Sequence, residues 1–484
     1  MNEQSYERPL NVVSCGILQL LSGHHSGKLE SVNPSAFSTR LLALFLLLTL
    51  AGGSASGLPS NNRIKRLIVQ QERDLADGVR YARYKTNGSR PIAIHVVTLD
   101  RTVAGNAIRV VKGKDHASSR EMLRDMSERY ELENGDAVLA VVNANFWAAV
   151  RNNPIGPCVI DGEVVEMTPY KQWSSAFFDI RNRIVIDTFK LSGEAIIGKR
   201  RLMIAATNRR SDSTEVVVYN AFAGETVPYV TADQIEWLFK EAQMDEQFLV
   251  EDSTEVELTS ETMRQELAKA QIESSREYPM MKIRLRYLRT PGVNVPTPCQ
   301  VLDCDTGQVA MPLRGCVISF PKDSLAGALP QPGDTVNIHF RTNIRPDLRF
   351  MNAVCGTPRL VRNGTADHEA REEGVTGRRF IGKNLARTAI GTDKSGNRLI
   401  MVAIEPTRRG NGTQGATLDQ MAQIMRLLGA EEAMNLDGGG STGMVVENDH
   451  VFFAGLDDPD TRPVSVGLAI VRLTHILRSR QYSR

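Results

Sequence analysis

The residues best suited to chemistry lie in the stretch NLDGGGSTGM, Asn435–Met444. Consecutive glycines weaken any helix or strand, so bare backbone must be needed here. The carboxylate of Asp437 can project from such a loop while the glycine amides and two hydroxyl groups form a donor surface for a phosphate or an oxyanion. A tight turn capped by the aspartate is the alternative interpretation. The predicted site residues of this stretch are Asn435, Asp437, Gly438, Gly439, Gly440, Ser441 and Thr442.

A helix and a short strand are predicted directly before the glycines. Thr417–Gln420 has a capping-box pattern, apolar residues then recur at helical spacing, and Gly429 supplies a stop. The seven-residue segment Glu431–Asp437 is short enough to be a buried strand. Because ligands are commonly bound at strand ends, this placement favours a binding loop.

Two amides lie at the end of another predicted strand, in the motif NANFW. Asn143 and Asn145 are two residues apart and therefore share one face of the strand. We predict that they orient a sugar through its hydroxyl groups, with Phe146 or Trp147 as a stacking face. A buried asparagine pair that satisfies turn backbone is the alternative.

A cation stands directly before the apolar residues of RTAIG, residues 387–391. The guanidinium of Arg387 could hold a phosphate group through two parallel hydrogen bonds. An ordinary surface arginine at the start of a strand is the alternative.

The composition excludes some classes of function. The 58 lysines and arginines nearly balance the 56 aspartates and glutamates, which leaves a net charge of +2 over 484 residues. Without a polybasic run, we expect no nucleic-acid partner. The histidines show no ligand spacing, so no metal site is predicted, and the sequence identifies no cofactor.

An apolar segment near the N-terminus is typical of a secretory signal. Arg40 precedes the apolar run Leu41–Leu50, and small residues follow in Ala51–Gly57. The run is too short to span a bilayer, which takes about 20 apolar residues. We therefore expect a secreted or cell-envelope protein, with a membrane contact only if this segment is retained as an anchor.

Cysteine usage leaves two possibilities open. Of the 6 cysteines, all but Cys15 follow the signal segment. In an exported protein Cys299 and Cys304 could close a small disulfide loop; burial as small apolar thiols is the alternative.

Short runs rich in Val and Ile dominate after residue 78 and predict strands. They are Ile92–Asp100, Ala137–Phe146, Asn182–Phe189, Thr214–Phe222, Lys282–Leu288, Thr335–Arg341, Arg398–Glu405 and Val466–Leu473. Besides the helix after Thr417, helices are predicted at Ser118–Tyr130 and Thr231–Gln243. This pattern predicts an α+β fold, with a mixed β-sheet core and flanking helices.

The predicted domain organisation has three parts. Residues 1–57 form an N-terminal extension with the signal or anchor segment. Residues 77–189 and 334–475 together form the core. Residues 190–333 form an interposed β-rich unit with a charged helical insert, since proline-rich stretches mark its edge.

Together, these motifs resemble those of the phosphodiester glycosidase family. The shared motifs are NANFW (143–147), NNPIGPCVIDGEVV (152–165), RTAIG (387–391), NLDGGGS (435–441) and RPVS (462–465). Their order and spacing agree from about Asp77 to Leu473. The sequence departs from the family where the usual Gly-Gly before Pro-Arg appears as Cys355-Gly356-Thr357-Pro358-Arg359. It also departs at the asparagine turn, which often carries glycine in the family and here has Ala144 and Asn145. These departures bear on the substrate more than on the class of reaction.

The resemblance implies hydrolysis of a sugar-1-phosphodiester in a glycan or glycoconjugate. The expelled phosphomonoester is a good leaving group, so strong general-acid help is less necessary than in ordinary glycosides. On this hypothesis the amides of Gly438–Ser441 and Arg387 hold the phosphate, and Asp437 acts as base or electrostatic partner. Asn143 and Asn145 then orient the sugar.

Two other functions remain open from the sequence. A glycosidase acting on a non-phosphorylated envelope polysaccharide would need an acid of raised pKa near Asp437, for which Glu405 is a candidate. A non-catalytic glycan-binding or exopolysaccharide biogenesis module would keep the fold. Loss of the aspartate or of the glycine loop would favour that last function, and the sequence retains both.

Overall fold

The computed structural model describes residues 64–148, 151–228, 279–325, 329–408, 412–453 and 462–474. The apolar run Leu41–Leu50 and the predicted helix Thr231–Gln243 lie outside these residues. Among the residues described, no helix is both long and apolar enough to cross a bilayer.

Strands account for most of the regular structure. Before residue 190 the strands are β1 (Leu67–Ala76), β2 (Val79–Thr86), β3 (Ala93–Asp100), β4 (Asn106–Lys112), β5 (Ala137–Asn143), β6 (Cys158–Ile160), β7 (Glu163–Glu166), β8 (Ser175–Asp179) and β9 (Ile184–Asp187). From there to residue 342 they are β10 (Leu191–Ile197), β11 (Arg200–Ile204), β12 (Ala206–Thr207), β13 (Val217–Tyr219), β14 (Thr226–Val227), β15 (Met280–Tyr287), β16 (Thr297–Asp305), β17 (Val309–Ala310), β18 (Gly315–Pro321) and β19 (Thr335–Thr342). The remaining strands are β20 (Phe350–Cys355), β21 (Arg359–Arg362), β22 (Thr365–Ala366), β23 (Arg387–Thr392), β24 (Arg398–Ile404), β25 (Glu432–Asn435), β26 (Gly443–Val446), β27 (Asp449–Phe453) and β28 (Val466–Arg472).

These strands form four larger sheets and the small pair β14-β17. Sheet 1 has the order β1-β2-β3-β24-β23-β25-β21-β22, and sheet 2 the order β11-β10-β19-β16-β15-β18-β13-β12. Sheet 3 is β7-β6-β20-β8-β9, and sheet 4 is β27-β26-β5-β28-β4. Within the described ranges, β12 and β13 form the one parallel pairing between named strands.

The predicted α+β class with a mixed, helix-flanked core is wrong. Of the described residues, 47% lie in strands and 12% are helical. The α-helices found there are α1 (Leu123–Asn134), α2 (Arg378–Gly382) and α3 (Leu418–Leu427). Antiparallel sheets can bury their apolar faces against one another, so helices are not needed to cover them.

The apolar cores show this sheet-to-sheet packing. One core joins sheets 1, 3 and 4 through residues such as Leu99, Phe178 and Leu468. A second joins sheets 2 and 3, with Ile283 and Phe177 among its members. The helix α3 covers the opposite face of sheet 1 in a third core.

All eight predicted strands are confirmed, as β3, β5, β9, β13, β15, β19, β24 and β28. The Asp161-Gly162 pair in the motif NNPIGPCVIDGEVV predicts a two-residue hairpin turn, and this turn is found between β6 and β7. Asp161 has φ 47° and Gly162 has φ 89°, the two positive φ values that this type of two-residue turn requires.

Helix starts were predicted with mixed success. At α3 the capping box is confirmed, since Gln420 N donates to Thr417 Oγ1 at 3.2 Å and Thr417 N donates to Gln420 Oε1 at 3.0 Å. At α1 the predicted start at Ser118 is wrong. Glu121 forms a β-bridge with Val464, and the chain stays extended until the helix begins at Leu123.

Sheet 2 uses strands between Leu191 and Thr342. Its strand β19 falls after the predicted domain boundary at residue 333, yet it pairs with β10 and β16 in this sheet. The division of the chain into domains otherwise stays a prediction.

Lys112, the last residue of β4, is a buried cation. Its side chain is fully buried, and Nζ donates to the carbonyl oxygen of Ser119. Burial lowers the pKa of Lys112 to about 7, because the charged form loses hydration.

We expect this lysine to make stability depend on pH. Between pH 7 and the ordinary lysine pKa of about 10.4, the folded protein holds fewer protons on Lys112 than the unfolded chain, so stability rises with pH. From pH 7 to pH 8.5 the gain should be about 1–2 kcal/mol. Urea unfolding at both pH values should show a smaller gain for Lys112→Met. An equal gain in both proteins would contradict this account.

Candidate functional site

The glycine stretch connects two sheets at the end of β25. Leu436 donates its backbone N–H to Thr388 O of β23 at 2.8 Å, and Asp437 donates its N–H to Ala144 O, just beyond β5, at 2.9 Å. A short 3-10 turn over Gly439–Ser441 then leads into β26. The predicted loop at the end of a short strand is therefore confirmed, and it passes from sheet 1 to sheet 4.

Each of the three glycines meets a different requirement. A Cβ atom at Gly438 would lie 3.1 Å from the carbonyl oxygen of Ala386, which is a tight contact. Gly439 has φ 58°, a backbone conformation that side chains disfavour. A Cβ atom at Gly440 would collide with Nη1 of Arg462. Two other chain segments thus approach the bare backbone of this loop.

The loop amides are largely engaged within the protein. Gly438 N donates to Asp437 Oδ1 at 2.8 Å, and Gly439 N donates to Ala386 O at 2.9 Å. Ser441 N and Thr442 N each donate at 3.2 Å to a glycine carbonyl within the loop. An anion at this loop would therefore depend on nearby cationic side chains more than on these four amides.

Asn143 holds the loop to both sheets. Its Nδ2 donates to Asp437 O at 2.7 Å. Its Oδ1 accepts the hydroxyl of Thr388 at 2.6 Å and the N–H of Gly443 at 3.2 Å. Because the side chain is fully buried, these contacts agree with the structural alternative considered for this asparagine. Its predicted contact with a sugar stays a prediction.

Three buried oxygen atoms in these motifs lack a hydrogen-bond donor in the part of the chain that the structure describes. They are Oδ1 of Asn145, Oδ1 of Asn435 and Oγ1 of Thr442. The amide nitrogen of Asn145 donates to Ile155 O at 3.2 Å and to Pro157 O at 3.3 Å. A buried oxygen without a donor costs about 1–3 kcal/mol, so these three atoms are unsatisfied acceptors close to the loop.

Arg387 is buried behind the loop. Its Nε donates to Ala416 O at 3.0 Å, and Nη2 donates to Phe380 O at 2.5 Å and to Lys383 O at 3.3 Å. The guanidinium also lies 5.0 Å from the centroid of the Phe380 ring. Arg387 therefore orders the segment before β23, and its predicted contact with phosphate stays a prediction.

A pocket of about 580 Å³ opens beside the loop. It lies between the segment that follows α2, the residues that follow β24 and the glycine loop. Its lining residues are Gly382, Lys383, Asn384, Leu385, Ala386, Pro406, Thr407, Gly439 and Gly440. Lys383 brings an exposed cation to this wall, and the volume is suited to a small ligand such as one sugar unit.

Glu405 lies directly before the pocket residue Pro406 and is part of a buried polar network. Its Oε1 accepts from Arg83 Nη2 at 2.7 Å and lies 3.0 Å from His95 Nε2. The other ring nitrogen of His95 lies 2.9 Å from the hydroxyl of Tyr81. The hydrogen bond with His95, supported by Arg83, lowers the pKa of Glu405 to about 2. This carboxylate is ionised at any ordinary pH.

The five cysteines of the described residues are free thiols. Cys299 Sγ donates to Thr297 O at 3.3 Å, and Cys304 Sγ donates to Pro330 O at 3.6 Å. The structure therefore contains no Cys299–Cys304 disulfide among these residues. Burial raises the pKa of Cys158 and of Cys355 to about 12, so neither is an activated nucleophile.

Sequence reasoning assigned no role to Arg462, although it belongs to the closing motif RPVS. The structure places its guanidinium against Gly440 and 5.9 Å from the centroid of the Trp147 ring. The sequence did contain a signal for such a contact, namely the glycine run, because a glycine can mark a place where another part of the chain approaches closely. The identity of that neighbour could not be read from the sequence.

These features define a β-sheet protein in which loops at strand ends line a pocket. Residues 311–471 match the family model described as phosphodiester glycosidase, which confirms the resemblance for the motifs within that segment. The matched segment includes the glycine loop, Arg387 and Arg462. It leaves out β5 and its asparagines.

Solved structures share the fold. A hypothetical protein from Synechocystis matches with TM-score 0.55 and 18% identity, over 82% of this chain and 62% of that one. The chain thus spans less than two thirds of that relative. A Burkholderia pseudomallei K96243 protein matches with TM-score 0.50 and 16% identity, over 78% and 74%.

A third match is the zebrafish N-acetylglucosamine-1-phosphodiester alpha-N-acetylglucosaminidase catalytic domain, auto-inhibited by its pro-peptide. Its TM-score is 0.41 with 12% identity, over 84% of this chain and 88% of that one. No curated protein gave a significant match.

Removal of the Asn143 side chain should destabilise the fold. Asn143→Ala would leave Asp437 O, the Thr388 hydroxyl and the Gly443 amide without a buried partner. We expect the free energy of unfolding, measured with urea, to fall by about 2–4 kcal/mol.

Asn106→Ala is the matched control, since Asn106 Nδ2 donates to Asp77 O in an exposed contact. Its effect should stay within about 0.5 kcal/mol. If Asn143→Ala kept wild-type stability and lost only sugar binding, Asn143 would instead be the direct sugar ligand predicted from the sequence.

Proposed function

We propose that the protein hydrolyses sugar-1-phosphodiesters, cleaving the bond between the sugar C1 and the phosphate oxygen. The observation that carries the proposal is the family match over residues 311–471, because this segment contains both Asp437 and every residue that lines the pocket. The reaction releases a free sugar and a phosphomonoester.

Asp437 is the proposed base or electrostatic partner. Its residue is 4% exposed, so its carboxylate acts in surroundings where charge interactions are stronger than in water. It stands two residues before Gly439, which lines the pocket. A carboxylate there can stabilise the positive charge that develops on the sugar ring, or accept a proton from water.

The proposed sugar-binding groups are the buried oxygens of Asn145, Asn435 and Thr442. Each is an acceptor without a donor in the described part of the chain, so a sugar hydroxyl would satisfy it at no loss of an existing bond. Asn143 contributes indirectly, because it fixes the backbone of Asp437.

The proposed substrate is an extracellular or cell-envelope glycoconjugate. This part of the proposal depends on the signal-like segment around Leu41–Leu50, for which export is the expected consequence. A membrane association would follow if the segment were kept as an anchor.

The structure weakens the polysaccharide glycosidase alternative. That alternative needs an acid of raised pKa, and its candidate Glu405 has a pKa lowered to about 2. A group that is already ionised cannot donate a proton to a poor leaving group. A phosphomonoester leaves without such a proton donor, so an ionised Glu405 is compatible with hydrolysis of a phosphodiester.

The central test uses the whole chain and a panel of α- and β-linked sugar-1-phosphodiesters. Release of free sugar and of phosphomonoester should identify the linkage. Asp437→Asn should lower kcat by about 100-fold or more, with the melting temperature retained. Asp449→Asn is the matched control, since Asp449 is exposed in β27, and it should turn over at the wild-type rate.

Two outcomes would contradict the proposal. Wild-type turnover in Asp437→Asn would remove Asp437 from the reaction. A wild-type protein that binds glycans and cleaves no member of the panel would favour the binding-module alternative.

Glu405→Gln should affect stability and leave the pH dependence of the reaction unchanged. Since the pKa of Glu405 is lowered, its stabilising contribution is present above the unfolded value of about 4.3 and is lost as pH falls towards about 2. The variant should lose about 1–3 kcal/mol at pH 7 and show a flatter acid unfolding curve. A change in the kcat/KM profile between pH 5 and 8 would show that Glu405 exchanges a proton in catalysis.

A further inference from the structure

The pocket beside the glycine loop carries a cation on its wall. Of the described residues that line it, Lys383 is the one with a charged side chain. The carboxylate of Glu405, which directly precedes the pocket residues, accepts from Arg83 at 2.7 Å and lies 3.0 Å from His95. A concave site lined by one sign of charge concentrates ions of the opposite sign, so this pocket is suited to an anion.

The backbone of Lys383 is held in place from both sides. Its N–H donates to Arg379 O at 3.0 Å, and its carbonyl oxygen accepts from Nη2 of Arg387 at 3.3 Å. The same buried guanidinium also binds the carbonyl oxygens of Phe380 and Ala416. Arg387 thus fixes the point from which the Lys383 side chain extends.

The ammonium group of Lys383 is exposed, and it makes no hydrogen bond or ion pair with another residue in the described ranges. The neighbouring polar side chains are engaged with the protein. Thr407 Oγ1 donates to Asn384 O at 3.3 Å, and Asn384 Nδ2 donates to Gln414 Oε1 at 3.0 Å. These two side chains shape the wall, whereas the ammonium group can bind a ligand.

The glycine side of the pocket offers an anion little. The amides of Gly438, Gly439, Ser441 and Thr442 already donate to acceptors within the protein. An anion in the pocket therefore needs its charge partner on another wall, and Lys383 supplies one.

We propose that Lys383 binds the phosphate group of the substrate. This inference rests on the proposed function and names the cation that the reaction uses. The phosphate lies at the wall formed by residues 382–386, and the sugar lies towards Gly439, two residues after Asp437. An ammonium group suits this position because it is a compact charge with three donors that can follow the phosphate oxygens.

The charge on the phosphate changes during the proposed reaction. As the bond between C1 and the phosphate oxygen breaks, its electron pair stays on the oxygen, so the phosphate passes from one negative charge to two. Water supplies the new hydroxyl group at C1, and its other proton goes to Asp437, the proposed base. Lys383 therefore interacts more strongly with the departing phosphate than with the bound diester, which lowers the barrier.

The test measures binding of methyl phosphate to the whole chain by calorimetry, because this probe contains no sugar and reports on the phosphate site alone. Lys383→Gln should weaken binding by about 10-fold or more. For the best phosphodiester of the panel it should raise KM and also lower kcat. Lys383→Arg should retain most of the affinity. Since the side chain is exposed, both variants should melt at the wild-type temperature.

Lys394→Gln is the matched control. Lys394 is also an exposed lysine, but it follows β23, whereas Arg387 and the pocket lie at the start of that strand. The control should bind methyl phosphate and turn over substrate as the wild type does. An equal loss of affinity in both lysine variants would indicate general attraction by surface charge and overturn the inference.

A second variant tests the other side of the glycine loop. The guanidinium of Arg462 lies so close to Gly440 that a Cβ atom there would collide with its Nη1. If Arg462→Gln loses methyl phosphate and Lys383→Gln keeps it, the phosphate lies outside the position assigned here and the inference is wrong.

The remaining outcomes separate this inference from the proposed function. Wild-type affinity for methyl phosphate and wild-type kcat/KM in Lys383→Gln would overturn the inference even if the phosphodiester is hydrolysed. Loss of binding in Lys383→Gln, with no phosphodiester cleaved by the wild type, would support the anion site and reject the hydrolase.

Discussion

The site depends on the hydrogen bonds of one buried side-chain amide, that of Asn143. It joins the end of β5 in sheet 4 to Thr388 in sheet 1 and to both ends of the glycine loop, through Asp437 O and Gly443 N. An amide is suited to this position because it donates and accepts at once. The two sheets and the loop are thereby fixed relative to one another at the place where the pocket opens.

Buried charge supports the same region from behind. The guanidinium of Arg387 is surrounded by the carbonyl oxygens of Phe380, Lys383 and Ala416. An unpaired buried charge would cost several kcal/mol. These carbonyl groups must therefore keep their positions as long as the Arg387 side chain is buried. The pocket wall between α2 and β23 is therefore shaped by an ion that the substrate need not touch.

The local elements could be read from the sequence because their signals are short in range. The capping box at Thr417, the Asp161-Gly162 turn and the eight strands depend on residues close together in the chain, and all are found. The fold class could not be read in the same way. Whether a sheet is covered by helices or by another sheet depends on pairings between distant strands, such as β4 with β28.

The candidate site shows the same limit. Its loop, its aspartate and its asparagines were found from residue type and spacing. Nothing in the sequence indicates that Arg387 is buried among carbonyls. Nor does it indicate that Arg120 and Arg462 share one indole, because 342 positions separate those two arginines along the chain. The sequence predicts that the glycines serve as amide donors. The structure shows instead that they allow other chain segments to approach the loop closely.

The order of strands in sheet 4 has a consequence for synthesis of the protein on the ribosome. The strand β28 lies between β4 and β5 and pairs with both, although more than 300 residues separate it from them. Until β28 emerges, the two earlier strands have no neighbour at their shared edge, and exposed strand edges favour aggregation. A nascent chain would therefore depend on chaperones for longer than a protein built from sequential hairpins. Products of premature termination should be recognised by quality control as unfolded.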